Sequence, residues 1–238
     1  MNRLLVLILI YSSSGQQLFA RAVNAISDST ANKTKIVRDS VGHIITYPVW
    51  QNMLKSGYYR LKAIAITNDS SIYVLEKQKE SKLIQWFGRG KKPAESTYFN
   101  ARQKIEPFNA TDIEGKSLKL TDLTGKVVVL NFWFIGCPPC MREIPELNKL
   151  TEKYAGNDKV VFIAIALNKK SVIESFLKTK PFYYQIVDSG KAIADQYNID
   201  LYPTNIVLNK DGYVMFHTSG YTNNTPYWIS KTIDDCLK

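Results

Sequence analysis

Residues 127–147 read V-V-V-L-N-F-W-F-I-G-C-P-P-C-M-R-E-I-P-E-L, and few folds accommodate such a stretch. Its opening, Val127 to Ile135, is rich in β-branched and aromatic residues and too short to cross a bilayer, so it predicts a strand buried on both faces. Gly136 ends the run. Cys137, Pro138, Pro139 and Cys140 follow, then apolar residues at helical spacing: Met141, Ile144, Leu147 and Leu150. A C-x-x-C pair where a strand gives way to a helix is a redox arrangement.

The reason lies in the helix end. First-turn amides lack intrahelical partners, and the helix dipole places partial positive charge there. A thiol at the N-cap is acidified, and the thiolate is the species that attacks a disulfide. Cys137 takes the cap, with Pro138 and Pro139 as the first helical residues, where a missing N–H costs little. The two prolines leave the Cys140 amide as the local donor to the Cys137 sulfur. Cys137 is the expected exposed nucleophile and Cys140 the more buried resolving thiol. A lone C-x-x-C can also be half of a zinc site, but Cys236, His43 and His217 are isolated candidates and no metal is expected. A fixed structural disulfide is the other alternative, which the strand–helix context disfavours.

These residues resemble the thioredoxin superfamily, in particular its TlpA/ResA-like branch of membrane-facing thiol–disulfide oxidoreductases. Gly125-Lys126, V-V-V-L-N-F-W, C-P-P-C and M-R-E-I-P-E-L carry the resemblance, and Tyr202-Pro203-Thr204 resembles the family's cis-proline site. The likeness spans residues 105–238. It implies an α/β fold: a thioredoxin-like sandwich, a mixed sheet flanked by helices, with an N-terminal hairpin. It implies exchange chemistry with no cofactor beyond the Cys137–Cys140 disulfide. It places Glu143 beside the dithiol to assist proton movement. It makes the bond before Pro203 cis and leaves the Tyr202 backbone free to pair with an extended substrate. Gly136, Pro138 and Pro139 complete the expected substrate-facing set. Other readings make Glu143 a complement to the helix dipole and Pro203 a trans residue opening an edge strand. Two departures matter. Asn131 stands where thioredoxins carry a buried aspartate, which shifts weight to Glu143. Gly136 replaces the usual aromatic before the first cysteine, which should leave Cys137 more open.

The rest of the chain is read around this domain. Leu4 to Tyr11 is an apolar run behind Arg3, and Ala20-Arg21-Ala22 fits a small-x-small cleavage site. Residues 1–22 are therefore an expected signal peptide and residues 23–33 a flexible lead-in, an uncleaved anchor or buried strand being the alternative. Export to the periplasm follows. It suits three cysteines, of which Cys137 and Cys140 pair and Cys236 is left as a small apolar group on the last helix. The formal charge is +10, or +8 without Arg3 and Arg21, which favours acidic surfaces or peripheral contact with anionic headgroups. Nucleic-acid binding is disfavoured, because no basic helix or base-stacking signature accompanies the charge.

Residues 34–104 read as a small, mostly β accessory module, with strands over 41–50, 58–67 and 71–75. Tyr47, Trp50, Tyr58, Tyr59 and Trp86 either form a docking surface or pack as core. The main domain should hold a hairpin over 108–120, strands over 160–167, 184–188, 204–208 and 213–217, and helices over 138–154, 171–178, 190–197 and 226–237. The expected activity is reduction of disulfides in exported proteins, apocytochrome c among the compatible substrates, with electrons from a membrane thiol carrier. Two other classes compete. A thiol peroxidase is disfavoured because Phe134 stands where peroxiredoxins carry threonine. A Sco-like copper chaperone would need wider cysteine spacing and a distant histidine, for which His217 is the candidate.

Overall fold

The computed structural model describes residues 34–67, 70–79, 87–88 and 90–238. The expected signal peptide and lead-in, and Trp86, lie outside them. The chain divides into two compact units, residues 1–83 and 84–238.

The first unit contains β1 (Thr34–Arg38), α1 (Tyr47–Lys55), β2 (Tyr59–Ile66) and β3 (Ser70–Lys77). Its sheet has the order β1-β3-β2, with β1 parallel and β2 antiparallel to β3. Val37, Trp50 and Leu75 form its small core. The expected strand over 41–50 is absent. Asp39 Oδ1 accepts the amides of Val41 and His43, both at 2.9 Å, and closes a turn. Pro48 then sits in the first turn of α1, where its lost N–H is harmless. The expected row of exposed aromatics is broken too, since Trp50 is buried while Tyr58 and Tyr59 are half-buried and Tyr47 is exposed.

The second unit begins before the expected boundary at residue 104. Phe99 is buried in its core, Ala94 O accepts from Thr218 Oγ1 at 2.8 Å, and Lys91 O accepts from Asn224 Nδ2 at 2.9 Å. Its elements are the hairpin β4 (Asn109–Thr111) and β5 (Ser117–Lys119), then β6 (Val127–Trp133), α2 (Pro138–Lys153), β7 (Val160–Ala166), α3 (Lys170–Leu177), β8 (Gln185–Val187), α4 (Lys191–Gln196), β9 (Thr204–Leu208), β10 (Val214–Ser219) and α5 (Thr225–Leu237). The main sheet runs β10-β9-β6-β7-β8. Strands β6, β7 and β8 are parallel, and β9 is antiparallel to both β6 and β10.

Strand β6 is central, and all seven of its residues are buried. Val127, Val129 and Trp133 meet Ile144, Leu147 and Leu150 of α2 on one face. Val128, Leu130 and Phe132 meet Phe99, Phe108 and Tyr197 on the other. Each buried aliphatic contributes about 1.5–3 kcal/mol. The site therefore grows from the best-anchored strand of the fold.

Candidate active site

At the end of β6 the chain turns sharply. Asn168, just beyond β7, accepts the Ile135 amide on its Oδ1 at 2.7 Å. Gly136 has φ +94°, a conformation that L residues rarely adopt. Cys137 then caps α2 in extended geometry, and its Sγ accepts the Cys140 amide at 3.3 Å. Pro138 and Pro139 occupy the first turn and offer no competing N–H. The two cysteines are disulfide-bonded, with Cα atoms 5.3 Å apart. Gly136 and Pro138 are exposed and Pro139 is half-buried.

The expectation of an open Cys137 is corrected. Cys137 is 3% exposed and Cys140 1%, and both belong to the apolar cluster on the α2 face of the sheet. Absence of an aromatic at position 136 does not open the site, because the capping geometry turns the Cys137 sulfur inward onto Cys140. The accepted amide, not exposure, distinguishes the two sulfurs.

The Tyr202–Pro203 bond is cis. Pro203 O accepts the Gly220 amide at 2.7 Å, and Thr204 Oγ1 donates to Leu201 O at 2.7 Å. The Tyr202 ring lies edge-on to Phe134, with centroids 5.5 Å apart. The proline loop thus meets the loop that leads into Cys137. Leu201, 52% exposed, extends an apolar rim beside it.

Glu143 lies one helical turn beyond Cys140 and is buried. Asn131 Nδ2 donates to its Oε1 at 2.7 Å. Asn205 Nδ2 donates to Oε2 at 3.1 Å and Oε1 at 3.3 Å. Burial pushes its pKa from 4.5 up to about 8, against the pull of the two amides. A surface glutamate answering the helix dipole would not be held this way. A carboxyl that titrates near neutrality can exchange a proton with a thiol. Asn205 and Asn168 escaped the sequence reading. A polar residue inside the apolar strand T-N-I-V-L was the available signal for Asn205.

His217 is buried on the opposite face of the sheet, near Phe99, with Nδ1 3.0 Å from Ser96 Oγ. The structure does not bring it to the dithiol, so its placement gives the copper-chaperone reading no support. Cys236 is half-buried on α5, and burial raises its pKa.

A fold of this kind, with a dithiol so placed, defines a class: the thioredoxin-like thiol–disulfide oxidoreductases. Residues 100–232 match the Redoxin family, and the chain belongs to it. Thiol-disulfide oxidoreductase ResA of Halalkalibacterium halodurans is 36% identical over 132 residues, covering 54% of this chain and 74% of that protein. ResA of Bacillus cereus is 32% identical over 130 residues, covering 52% of this chain and 75% of its own length. A crystal structure of a putative thiol:disulfide interchange protein DsbE from Chlorobium tepidum superposes with a TM-score of 0.54 at 25% identity, over 59% of this chain and 99% of that one. The protein is a thiol–disulfide oxidoreductase of the ResA-like kind.

Proposed function

We propose that the chain reduces disulfides of exported proteins through Cys137 and Cys140. The observation that carries this reading is the capping sulfur of Cys137, hydrogen-bonded by the Cys140 amide and covalently paired with Cys140. In the reduced protein the Cys137 thiolate attacks one sulfur of a substrate disulfide. A mixed disulfide forms, and one substrate sulfur leaves as a thiolate and takes up a proton. Cys140 then gives its proton to Glu143 and attacks the Cys137 sulfur. The Cys137–Cys140 bond closes, and the second substrate sulfur leaves and is protonated. Two electrons have passed to the substrate. A membrane thiol carrier returns two electrons and two protons to the enzyme.

The direction rests on the prolines. With Pro138 and Pro139 offering no N–H, the Cys140 amide alone reaches the Cys137 sulfur locally, which favours a moderate thiol acidity over that of a strong oxidant. The Tyr202 backbone, with Gly136, Pro138 and Pro139, offers an extended substrate its docking edge. Export rests on the N-terminal pattern. Among the described residues no helix is long and apolar enough to cross a membrane. Apocytochrome c fits the substrate class, as do misoxidised exported proteins generally.

The test is trapping. A Cys140→Ala variant should hold its substrates as mixed disulfides on Cys137, identifiable by mass spectrometry, and a Cys137→Ala variant should hold none. Equal trapping by both variants would refute the assignment of roles. A reduction potential of about −120 mV would reverse the direction.

A further inference from the structure

The carboxyl of Glu143 is gripped from two strands at once. Asn131 on β6 and Asn205 on β9 are register partners, and both are buried. Each interrupts an otherwise apolar core pattern. Asn131 Nδ2 also donates to Asn205 Oδ1 at 2.9 Å, so the three side chains close into one hydrogen-bonded cluster. One atom is left over: Asn131 Oδ1 is buried and has no hydrogen-bond partner among the described residues. A buried acceptor left unmade costs about 1–3 kcal/mol, so a cluster that tolerates one calls for a reason.

The two charge states of a carboxyl make different demands on such a cluster. Ionised, it only accepts; protonated, it carries an O–H that must donate. In the arrangement seen, both amides donate to it, which suits the carboxylate. Turning both amides over by half a rotation exchanges oxygen for nitrogen at nearly the same places. Asn131 Oδ1 then stands 2.7 Å from Glu143 Oε1, ready to accept its proton, and Asn205 Nδ2 donates to Asn131 Oδ1 across the former 2.9 Å bond, while Asn205 Oδ1 comes to face Glu143 Oε2 at 3.1 Å and the partnerless place passes to Asn131 Nδ2.

We propose that Asn131 and Asn205 are positioning residues for the proton step, a pair of rotatable amides that donates to the Glu143 carboxylate and, turned over, accepts from the carboxylic acid. This rests on the reading above, in which Glu143 takes the Cys140 proton. The cluster lets Glu143 change charge inside the core by side-chain rotation alone. Other groups face Glu143 from its surroundings. Tyr184 precedes β8, Tyr221 follows β10, and Arg142 and Glu146 flank it on α2. Both tyrosines are pushed upward, chiefly by burial, and stay neutral while Glu143 titrates.

The experiment follows the Glu143 carboxyl carbon and the side-chain amide signals of Asn131 and Asn205 by NMR across pH, in the reduced full chain. Both amides should move with the Glu143 midpoint; amides that stay flat through it overturn the proposal. This wild-type measurement stands even where a variant fails to fold. Asn131→Leu and Asn205→Leu each remove a donor to the carboxylate together with an acceptor for the acid; the bond to the charged form is the stronger, so each should raise the Glu143 midpoint, by about one pH unit. The pH profile of disulfide reduction should move with it. A packing role alone would change stability and leave the midpoint in place. Glu143→Gln separates the two claims. If it leaves the pH profile unchanged, the role of Glu143 fails; if it removes the profile while the leucine variants leave the midpoint unmoved, only the role of the amides fails.

Discussion

Two buried polar clusters sit on opposite faces of one sheet. On the α2 face, Asn131 and Asn205 hold Glu143, one helical turn beyond Cys140. On the other, Ser96 meets His217 beneath the segment that precedes the hairpin. In both clusters burial works against the charged form of an ionisable group, and it shifts the two groups in opposite directions. Burial raises Glu143, so the folded state holds a proton that the unfolded chain releases above pH 4.5. That stability is fully present below about pH 4.5 and is lost as pH rises through about 8. Burial lowers His217, so the unfolded chain takes up a proton first. That stability is present above about pH 6.5 and is lost as pH falls below it. The contrast teaches that burial alone does not make a group catalytic. Glu143 stands one helical turn beyond the Cys137–Cys140 pair; His217 meets a strap of its own chain.

The largest expected effect falls on the α2 face. Glu143→Gln should slow disulfide reduction by about 100-fold, the scale of a lost proton shuttle. It should also flatten the alkaline side of the stability profile. Urea denaturation at pH 5 and pH 9 should show wild-type protein losing a few kcal/mol between the two and the variant losing little. An unchanged slope would mean that Glu143 is not the buried acid, and the contrast between the faces would break.

This also marks what the sequence could carry. The β6–Cys137–Cys140–α2 junction was legible because its signals are local: an apolar run, a glycine, a cap and two prolines within one stretch. That Glu143 falls one turn beyond Cys140 on α2 followed from its spacing, and its place beside the dithiol was what the resemblance implied. Its burial did not, because its amide partners lie 12 and 62 residues away in the chain. The inward turn of the Cys137 sulfur depends on a side-chain orientation that no spacing records. The boundary of the second unit was missed for a similar reason, since Ser96 and His217 are separated by 121 residues. The start of the helix at Tyr47–Lys55 was misread as strand because Val41, Ile44 and Ile45 have strand propensity, which lost to the side-chain bonds of Asp39, whereas a short helical or turn segment over 51–55 was expected.

On the opposite face the effect should be structural. His217→Ala leaves a cavity and an unpaired Ser96 hydroxyl, and should destabilise the fold by about 2 kcal/mol. Disulfide reduction should stay within about twofold of wild type, because truncation this far from the chemistry leaves the catalytic geometry alone. The loss of stability that begins just below about pH 6.5 should disappear, while the loss through about pH 8 remains. A tenfold loss of turnover in folded protein would show that His217 reaches the dithiol after all.

The smallest effect sharpens the contrast most. Ser96→Ala removes one hydroxyl and leaves the imidazole in place, so about 1 kcal/mol is at stake. Thr218 and Asn224 still hold the carbonyls of Ala94 and Lys91, so the segment stays docked. Hydrogen exchange should quicken at residues 94–99 and stay unchanged in α2, where the carboxyl cluster draws on β6 and β9 alone. Protection lost in α2 as well would show that the sheet transmits strain between its faces, and the two clusters would then have to be treated as one.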